Sequence, residues 1–173
     1  MRATKKRIYL KLLSPDDVTQ AYLRWMQDQE VTQFLESRWT VYGVDALKDY
    51  TRKVNEDPFA FLFGIYLIES KEQIGNIKIG GIHSLHRYGD IGLLIGEKTL
   101  RGKGYGTEAI QAATQYAFEE LNLNKVIAGL YADNIGSYKG FIKSGYREVG
   151  RWKKHRFFKG NYVDEILVEK LRD

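Results

Sequence analysis

Apolar and polar positions along this chain follow two different periods, and the switches between them mark its elements. Arg7 to Leu13 reads as a short strand. Ser14-Pro15-Asp16-Asp17 then supplies a cap, a proline at the first helical position and first-turn carboxylates. Val18, Tyr22 and Trp25 or Met26 recur on one helical face as far as about Gln27. Leu47, Tyr50 and Val54 predict a second helix over Val44 to Asn55, ended by Asp57-Pro58. Three strand-like runs follow, Phe59–Ile68, Ile74–Ile82 and Asp90–Gly96, separated by turns at Glu69-Ser70-Lys71-Glu72 and Arg87-Tyr88-Gly89. Ile110, Ala113, Ala117 and Leu121 stripe a helix over 104–121. Lys125–Tyr131 reads as a strand and Asn134–Ser144 as a short helix. Strands near 146–158 and 162–171 flank the turn Lys159-Gly160-Asn161. The order β-α-α-β-β-β-α-β-α-β-β predicts an α/β fold of mixed, α+β-like type, with a mostly antiparallel central sheet and one helical crossover to a parallel neighbour.

Composition narrows the picture. The 173 residues, with two prolines and no linker or repeat, fit one domain over 1–173. Apolar residues make up 43% and charged residues 28%, as in an ordinary soluble globule. The absence of cysteine excludes disulfides, thiolate-ligated metals and an acyl-cysteine intermediate, and fits a reducing compartment. The longest nearly unbroken apolar run, Phe59–Ile68, has ten residues, about half of a membrane span. Arg2, Lys5, Lys6 and Arg7 are followed by no apolar segment of the signal-peptide kind, so a cytoplasmic protein with no membrane partner is expected. A net charge of +5 favours an acidic partner such as a phosphate or nucleotide.

The chemistry concentrates in Gly96-Glu97-Lys98-Thr99-Leu100-Arg101-Gly102-Lys103-Gly104-Tyr105-Gly106-Thr107, between a strand and a helix. Glycine permits positive φ and close backbone approach. A helix N-terminus offers free N–H groups and partial positive charge, which suit phosphate. A P-loop does not fit. Five residues, not four, separate Gly96 from Gly102, and Gly104 stands where a hydroxyl would bind magnesium. Gly104-x-Gly106-x-x-Ala109 matches a relaxed dinucleotide fingerprint, but about 100 residues precede it where that motif should open the sheet. The third reading is Arg101-x-x-Gly104-x-Gly106.

This arrangement resembles the GNAT superfamily of acyl-CoA-dependent N-acetyltransferases, most sharply from Ile91 to Tyr146. A second segment, Asn134-x-x-Ser137-x-x-x-Phe141-x-x-x-Gly145-Tyr146, is similar to another signature of that family. The resemblance implies that acetyl-CoA is the co-substrate and that its pyrophosphate meets the backbone from Arg101 through Gly102, Lys103, Gly104, Tyr105 and Gly106 to Thr107. It implies a bulged strand splayed from its neighbour, with the pantetheine arm paired along Leu94, Ile95 and Gly96. Asn134, Ser137 and Phe141 would complete the cofactor site. Many relatives carry at position 141 a tyrosine that protonates the leaving thiolate. Phe141 has no proton to give, which leaves Tyr138, Ser137, a water or an unassisted thiolate.

The expected reaction is direct attack of a primary amine on the thioester in a ternary complex, with Glu97, Asp90, His83 or His86 as base. By resemblance the region after the first helix lines the acceptor site, which nominates Trp25, Arg38 and Trp39. It looks like the branch of ribosomal-protein N-terminal acetyltransferases and of enzymes acting on nucleotide-linked amino sugars. The acceptor is therefore a small-molecule or peptide amine, and the basic charge suits a nucleotide sugar better than a polyamine. A homodimer is compatible with the resemblance. His83-x-x-His86 lacks a third ligand, so no metal is expected. Arg151, Lys153, Lys154, His155 and Arg156, interleaved with Trp152, Phe157 and Phe158, read better as a solvated strand face than as a nucleic-acid surface. A CoA-binding sensor without catalysis is the other reading left open by Phe141.

Overall fold

Period-2 segments become strands β1 (Ile8–Leu12), β2 (Phe61–Leu67), β3 (Gln73–His83), β4 (Tyr88–Ile95), β5 (Lys125–Tyr131), β6 (Arg147–Phe158) and β7 (Asn161–Leu171). Helices α1 (Gln20–Gln27), α2 (Gln29–Thr32), α3 (Val44–Glu56), α4 (Tyr105–Glu119) and α5 (Ile135–Lys143) connect them. The computed structural model describes residues 6–172, so Arg2 and Lys5 lie outside the described residues. All seven strands join one sheet in the order β1-β2-β3-β4-β5-β7-β6. Every neighbouring pair is antiparallel except β4–β5, where α4 makes the crossover between parallel strands.

The start of the chain departs from the expected continuous helix. Pro15–Asp17 is a single 3₁₀ turn. The Asp17 carboxylate accepts from the Ser14 backbone N–H and hydroxyl at 2.8 Å each and pairs with Lys11 at 2.6 Å, closing that turn on itself. Thr19 then caps α1 afresh, its hydroxyl oxygen accepting from the Tyr22 N–H at 3.2 Å. The stretch after α1, to which the sequence assigned no element, winds into α2 and a 3₁₀ turn over Glu36–Trp39. Asp28 caps α2 by accepting from the Glu30 and Val31 N–H groups at 2.9 and 3.3 Å.

Because strand side chains alternate, the sheet is apolar on both faces. Ile77, Ile79, Ile91 and Val126 pack on one side against Ile110, Ala113 and Ala117 of α4 and Phe141 of α5. Leu13, Leu62 and Leu94 pack on the other against Tyr22, Trp25, Leu47 and Val54 of α1 and α3. Phe141 is fully buried, edge-on to the Tyr146 ring at 4.9 Å between centroids. Phe141→Ala should therefore destabilise the protein by about 3–5 kcal/mol, the range for emptying a fully buried aromatic site. Urea denaturation checks this, and the acetyl-CoA affinity of the folded fraction should stay unchanged.

Candidate active site

The parallel ladder between β4 and β5 is short. Tyr88, Gly89 and Asp90 pair with Lys125, Val126 and Ile127, and no pairing follows. From Ile91 to Ile95, β4 pairs only with β3, while β5 pairs along its whole length with β7. The two strands diverge and leave an open backbone edge in the middle of the sheet. The expected bulge is not in this part of β4. The β3–β4 register is regular from Gly75↔Ile95 to Gly80↔Asp90 and shifts between Gly80 and His83 on β3, where Gly81 adopts φ +55°.

Alternation fixes which groups face the gap. The Gly96 N–H donates to the Ile74 carbonyl at 2.9 Å, toward β3. The N–H groups of Ile95 and Leu93 therefore point to the open side, and that of Leu94 toward β3. The expected pantetheine contacts Leu94, Ile95 and Gly96 are therefore not equivalent. Gly96 is tied to Ile74 and covered by Trp25, whose ring a Cβ at Gly96 would meet at 2.1 Å. The open-edge residues are Leu93 and Ile95. The Arg101 guanidinium donates from Nε and Nη2 to the Ile95 carbonyl at 3.1 Å each, so it caps the end of β4.

Beside the gap stands the N-terminus of α4. Gly104 at its cap has φ +90°, a conformation that favours glycine. Among the described residues, the backbone N–H groups from Gly102 to Thr107 have no acceptor, and intrahelical bonding begins at Glu108, which donates to Gly104. Arg7 buttresses the turn. It donates to the Lys103 carbonyl at 3.0 Å, pairs with Glu108 and lies over the Tyr105 ring at 4.3 Å.

A cavity of about 400 Å³ fills this region. Leu93, Leu94, Ile95, Arg101, Gly102, Gly104, Gly106, Thr107, Asn134 and Ser137 line it. Asn134 also caps α5, accepting from the Ser137 N–H at 3.2 Å. Lys139 and Lys143 add cationic side chains at the α5 wall. These the sequence reading missed, although both fall on the ligand-facing side of the helix that begins at Asn134. Lys103 and Tyr105 lie on the buttressed side of the turn, not in the cavity wall. Phe141 is likewise absent from the wall, because its position in α5 faces the core. Tyr138 turns to Glu148, whose carboxylate holds the phenol above its ordinary value. Ser137 is thus the residue of the nominated proton-donor pair that borders the cavity.

A second cavity, of about 300 Å³, opens on the opposite face of β4. Its wall is built from Tyr22, Tyr42, Tyr50, Leu62, Asn76 and Lys78, with Leu35, Glu36 and Ser37 from the segment after α2. Leu35, Leu93 and Leu94 belong to both cavities, so the two chambers meet at the splayed strand. Burial pushes the Tyr22 and Tyr50 phenols up, so they remain neutral donors at physiological pH.

The nominated acceptor residues are elsewhere. Trp25 is buried and donates from Nε1 to Glu97 at 3.0 Å. That contact also holds the Glu97 carboxylate away from both chambers. Arg38 donates to the Leu35 carbonyl at 3.0 Å, the Tyr131 hydroxyl at 2.6 Å and the Phe157 carbonyl at 2.7 Å, and its guanidinium covers the exposed Trp39 ring at 4.5 Å. It is a strut for its segment, and the neighbours Glu36 and Ser37 face the cavity instead. The groups that fix this segment, Tyr131, Arg156 and Phe157, come from strands more than ninety residues away, so no local pattern announced them. His83 and His86 stack on each other at 4.3 Å beside Tyr88, at the far end of β4. Asp90 shares the β4 face of Gly92 and Leu94. Partial desolvation raises its carboxyl pKa, and Lys78 opposes the shift.

Comparison with known proteins agrees with this geometry. Residues 7–147 match the family model described as an acetyltransferase (GNAT) domain. The uncharacterized N-acetyltransferase YnaD of Bacillus subtilis is 30% identical over 154 residues, 89% of this chain and 87% of that protein. Among solved structures, a GNAT-family acetyltransferase from Bacillus anthracis superposes with a TM-score of 0.81 at 25% identity, covering 96% of this chain and 95% of its own. A spermidine N-acetyltransferase from Vibrio cholerae, solved with CoA and spermine, superposes at 0.84 with 22% identity and 95% coverage of both chains. The splayed strand, the open helix terminus and the family match over most of its length lead to one conclusion: this chain is an N-acetyltransferase of the GNAT family.

Proposed function

We propose that the protein transfers an acetyl group from acetyl-CoA to a primary amine by direct attack in a ternary complex. The observation that carries this reading is the meeting of two chambers at Leu93 and Leu94, one bordered by unpaired backbone donors and the other by aromatic and polar side chains. The residues of the first chamber fit the carrier. The amides from Gly102 to Thr107 would hold the diphosphate at the positive end of α4, with Lys139 and Lys143 placed for the remaining phosphate. The Leu93 and Ile95 edge would pair with the amide-bearing arm, as a strand would.

Acetyl-CoA supplies, when bound, a thioester whose carbonyl carbon is electrophilic. The amine nitrogen enters from the second chamber. As the N–C bond forms the C–S bond breaks, the nitrogen loses a proton, and the CoA sulfur leaves as a thiolate that takes one up. The open-edge N–H groups of β4 stabilise charge developing on the carbonyl oxygen. Asp90, on the acceptor face beyond Gly92, receives the amine proton through water. Ser137, in the wall of the first chamber, serves the sulfur. Holding both reactants in line is the largest contribution of such a site.

The charge of the acceptor chamber bears on its substrate. Spermine accompanies the Vibrio cholerae enzyme, but in this chain one lysine and one glutamate line the cavity, and Glu36 is already engaged by Tyr131 at 2.6 Å and Arg156 at 3.1 Å. With a net charge of +5, the balance favours an amine attached to an anionic body, such as a nucleotide-linked amino sugar, over a polycation.

Calorimetric titration should give one-to-one binding of acetyl-CoA, and thiol release should follow on adding amines; no heat at millimolar acetyl-CoA would overturn the proposal. Gly104→Ala forces a side chain into φ +90° at a strain of about 1–3 kcal/mol, so acetyl-CoA affinity should fall by roughly five- to a hundredfold in the same titration. Asp90→Asn should lower kcat by about a hundredfold or more. The base must be ionised, so wild-type activity should fall as pH drops through the raised Asp90 pKa, above the usual carboxylate range. That acid limb of the pH–rate profile should vanish in the variant.

A further inference from the structure

The acceptor chamber is lined by one cation, Lys78, and by one carboxylate, Glu36, which is already engaged by Tyr131 and Arg156. Lys78 lies on β3, half-buried, with its stem in the wall. Among the described residues it has no carboxylate within 4.0 Å; its ammonium leans over Gly80, 3.6 Å from where a Cβ would stand, and Asp90 Oδ1 lies 3.7 Å from the same point, so Asp90 is the acid whose field it feels. Its ammonium is 6.0 Å from the Tyr50 ring. Directly opposite Lys78 in the β3–β4 register is Gly92, where an added Cβ would meet nothing within 4 Å. Gly92 thus leaves the wall uncovered across the ladder from Lys78, one residue before Leu93, where the two chambers meet.

Next to Lys78 on the same face, Asn76 is 5% exposed and forms part of the same wall. Its Oδ1 accepts from Gln73 Nε2 at 2.7 Å, which fixes the amide. Its Nδ2 has no acceptor in good geometry among the described residues, and the neighbouring Tyr22 phenol is the group nearest to serving as one. A buried donor without a partner is costly, and a half-buried ammonium gains most from an anion brought close to it. Three tyrosine hydroxyls, from Tyr22, Tyr42 and Tyr50, border the same space.

We infer that the acceptor amine carries an acid group, a carboxylate or a phosphate, within a few bonds of the reacting nitrogen, and that Lys78 with Asn76 holds that group in the tyrosine-lined chamber. This rests on the transferase reading above. Lys78 supplies charge and Asn76 an N–H donor to the acid oxygens. The tyrosines flank the body of the acceptor and offer neutral O–H donors. The nitrogen is then directed past Gly92 to the splayed strand. A polyamine would instead bring a second ammonium against Lys78.

The test compares matched acceptors that differ in the acid group: phenylalanine against phenethylamine, and glucosamine 1-phosphate against glucosamine, with spermidine and a short peptide of free N-terminus as further arms. Thiol release is measured with wild type, Lys78→Met and Lys78→Arg, and acetyl-CoA affinity is measured calorimetrically for each. The expected result is a kcat/KM at least tenfold higher for the acid-bearing member of a pair. Lys78→Met should remove that preference by raising KM, Lys78→Arg should keep most of it, and acetyl-CoA affinity should be the same in all three proteins. The pair with the larger preference tells carboxylate from phosphate. Equal use of both members of each pair, or a preference for spermidine or the peptide, would overturn the acid clamp while leaving the transferase reading intact. If no arm turns over, calorimetry of the acid-bearing compounds with the CoA-loaded protein decides. Lysine-dependent binding supports the clamp, and no binding overturns it. Failure of acetyl-CoA itself to bind would overturn the transferase reading and this inference together.

Discussion

The structure depends on a ladder that stops. β4 and β5 are parallel neighbours for three residue pairs, and each is then held only by its other neighbour, β4 by β3 and β5 by β7. Backbone N–H and C=O groups in a sheet interior are costly to leave without partners. Here the protein satisfies one of them itself, with the Arg101 guanidinium on the Ile95 carbonyl, and leaves the Leu93 and Ile95 N–H groups facing the gap. The open N-terminus of α4 adds a second set of free donors beside the first. A carrier with a diphosphate at one end and amide groups along its length matches both sets, which is why a fold with this gap lends itself to acyl-CoA chemistry.

The second chamber is held by a different device. Glu36 accepts from the Tyr131 hydroxyl at 2.6 Å and meets Arg156 at 3.1 Å, and Arg156 donates to Glu165 at 2.7 Å. Glu165 is 2% exposed and also faces His155 at 3.3 Å. Such a buried carboxylate is tolerable only because cations reach it. The chain of contacts ties the segment after α2 to β5, β6 and β7, so the wall of the second chamber is set by strands more than ninety residues away. The same pairing explains the basic stretch of β6. Arg151 pairs with Glu148, Lys153 with Asp164 and Arg156 with Glu165, so much of its charge is spent within the hairpin. This leaves less for a polyanion such as nucleic acid.

Element types and order were legible in the sequence because alternation and helical stripes are local. Val44–Asn55 became α3, Lys125–Tyr131 became β5, and the glycines from Gly102 to Gly106 mark a turn whose residues Gly102 and Gly104 adopt positive φ. Legible too were the free amides of that turn, since they follow from the start of a helix itself. The roles of Phe141, Trp25 and Arg38 were not legible. Each is defined by what lies opposite it: Tyr146 for the first, Glu97 and Gly96 for the second, Tyr131 and Phe157 for the third.

The sequence by itself determined the strands, the helices, the glycine turn and the lack of any thiol chemistry, because these depend on residues near one another in the chain. Tertiary structure alone decided that β4 parts from β5 after Asp90, that Leu93 and not Gly96 faces the opening, and that Lys78 borders the second chamber. A lysine between Ile77 and Ile79 reads as solvent-facing in any one-dimensional pattern. Only the packing of α1 and α3 over that face, with Gly92 leaving room across the ladder, turns it into the wall of a cavity.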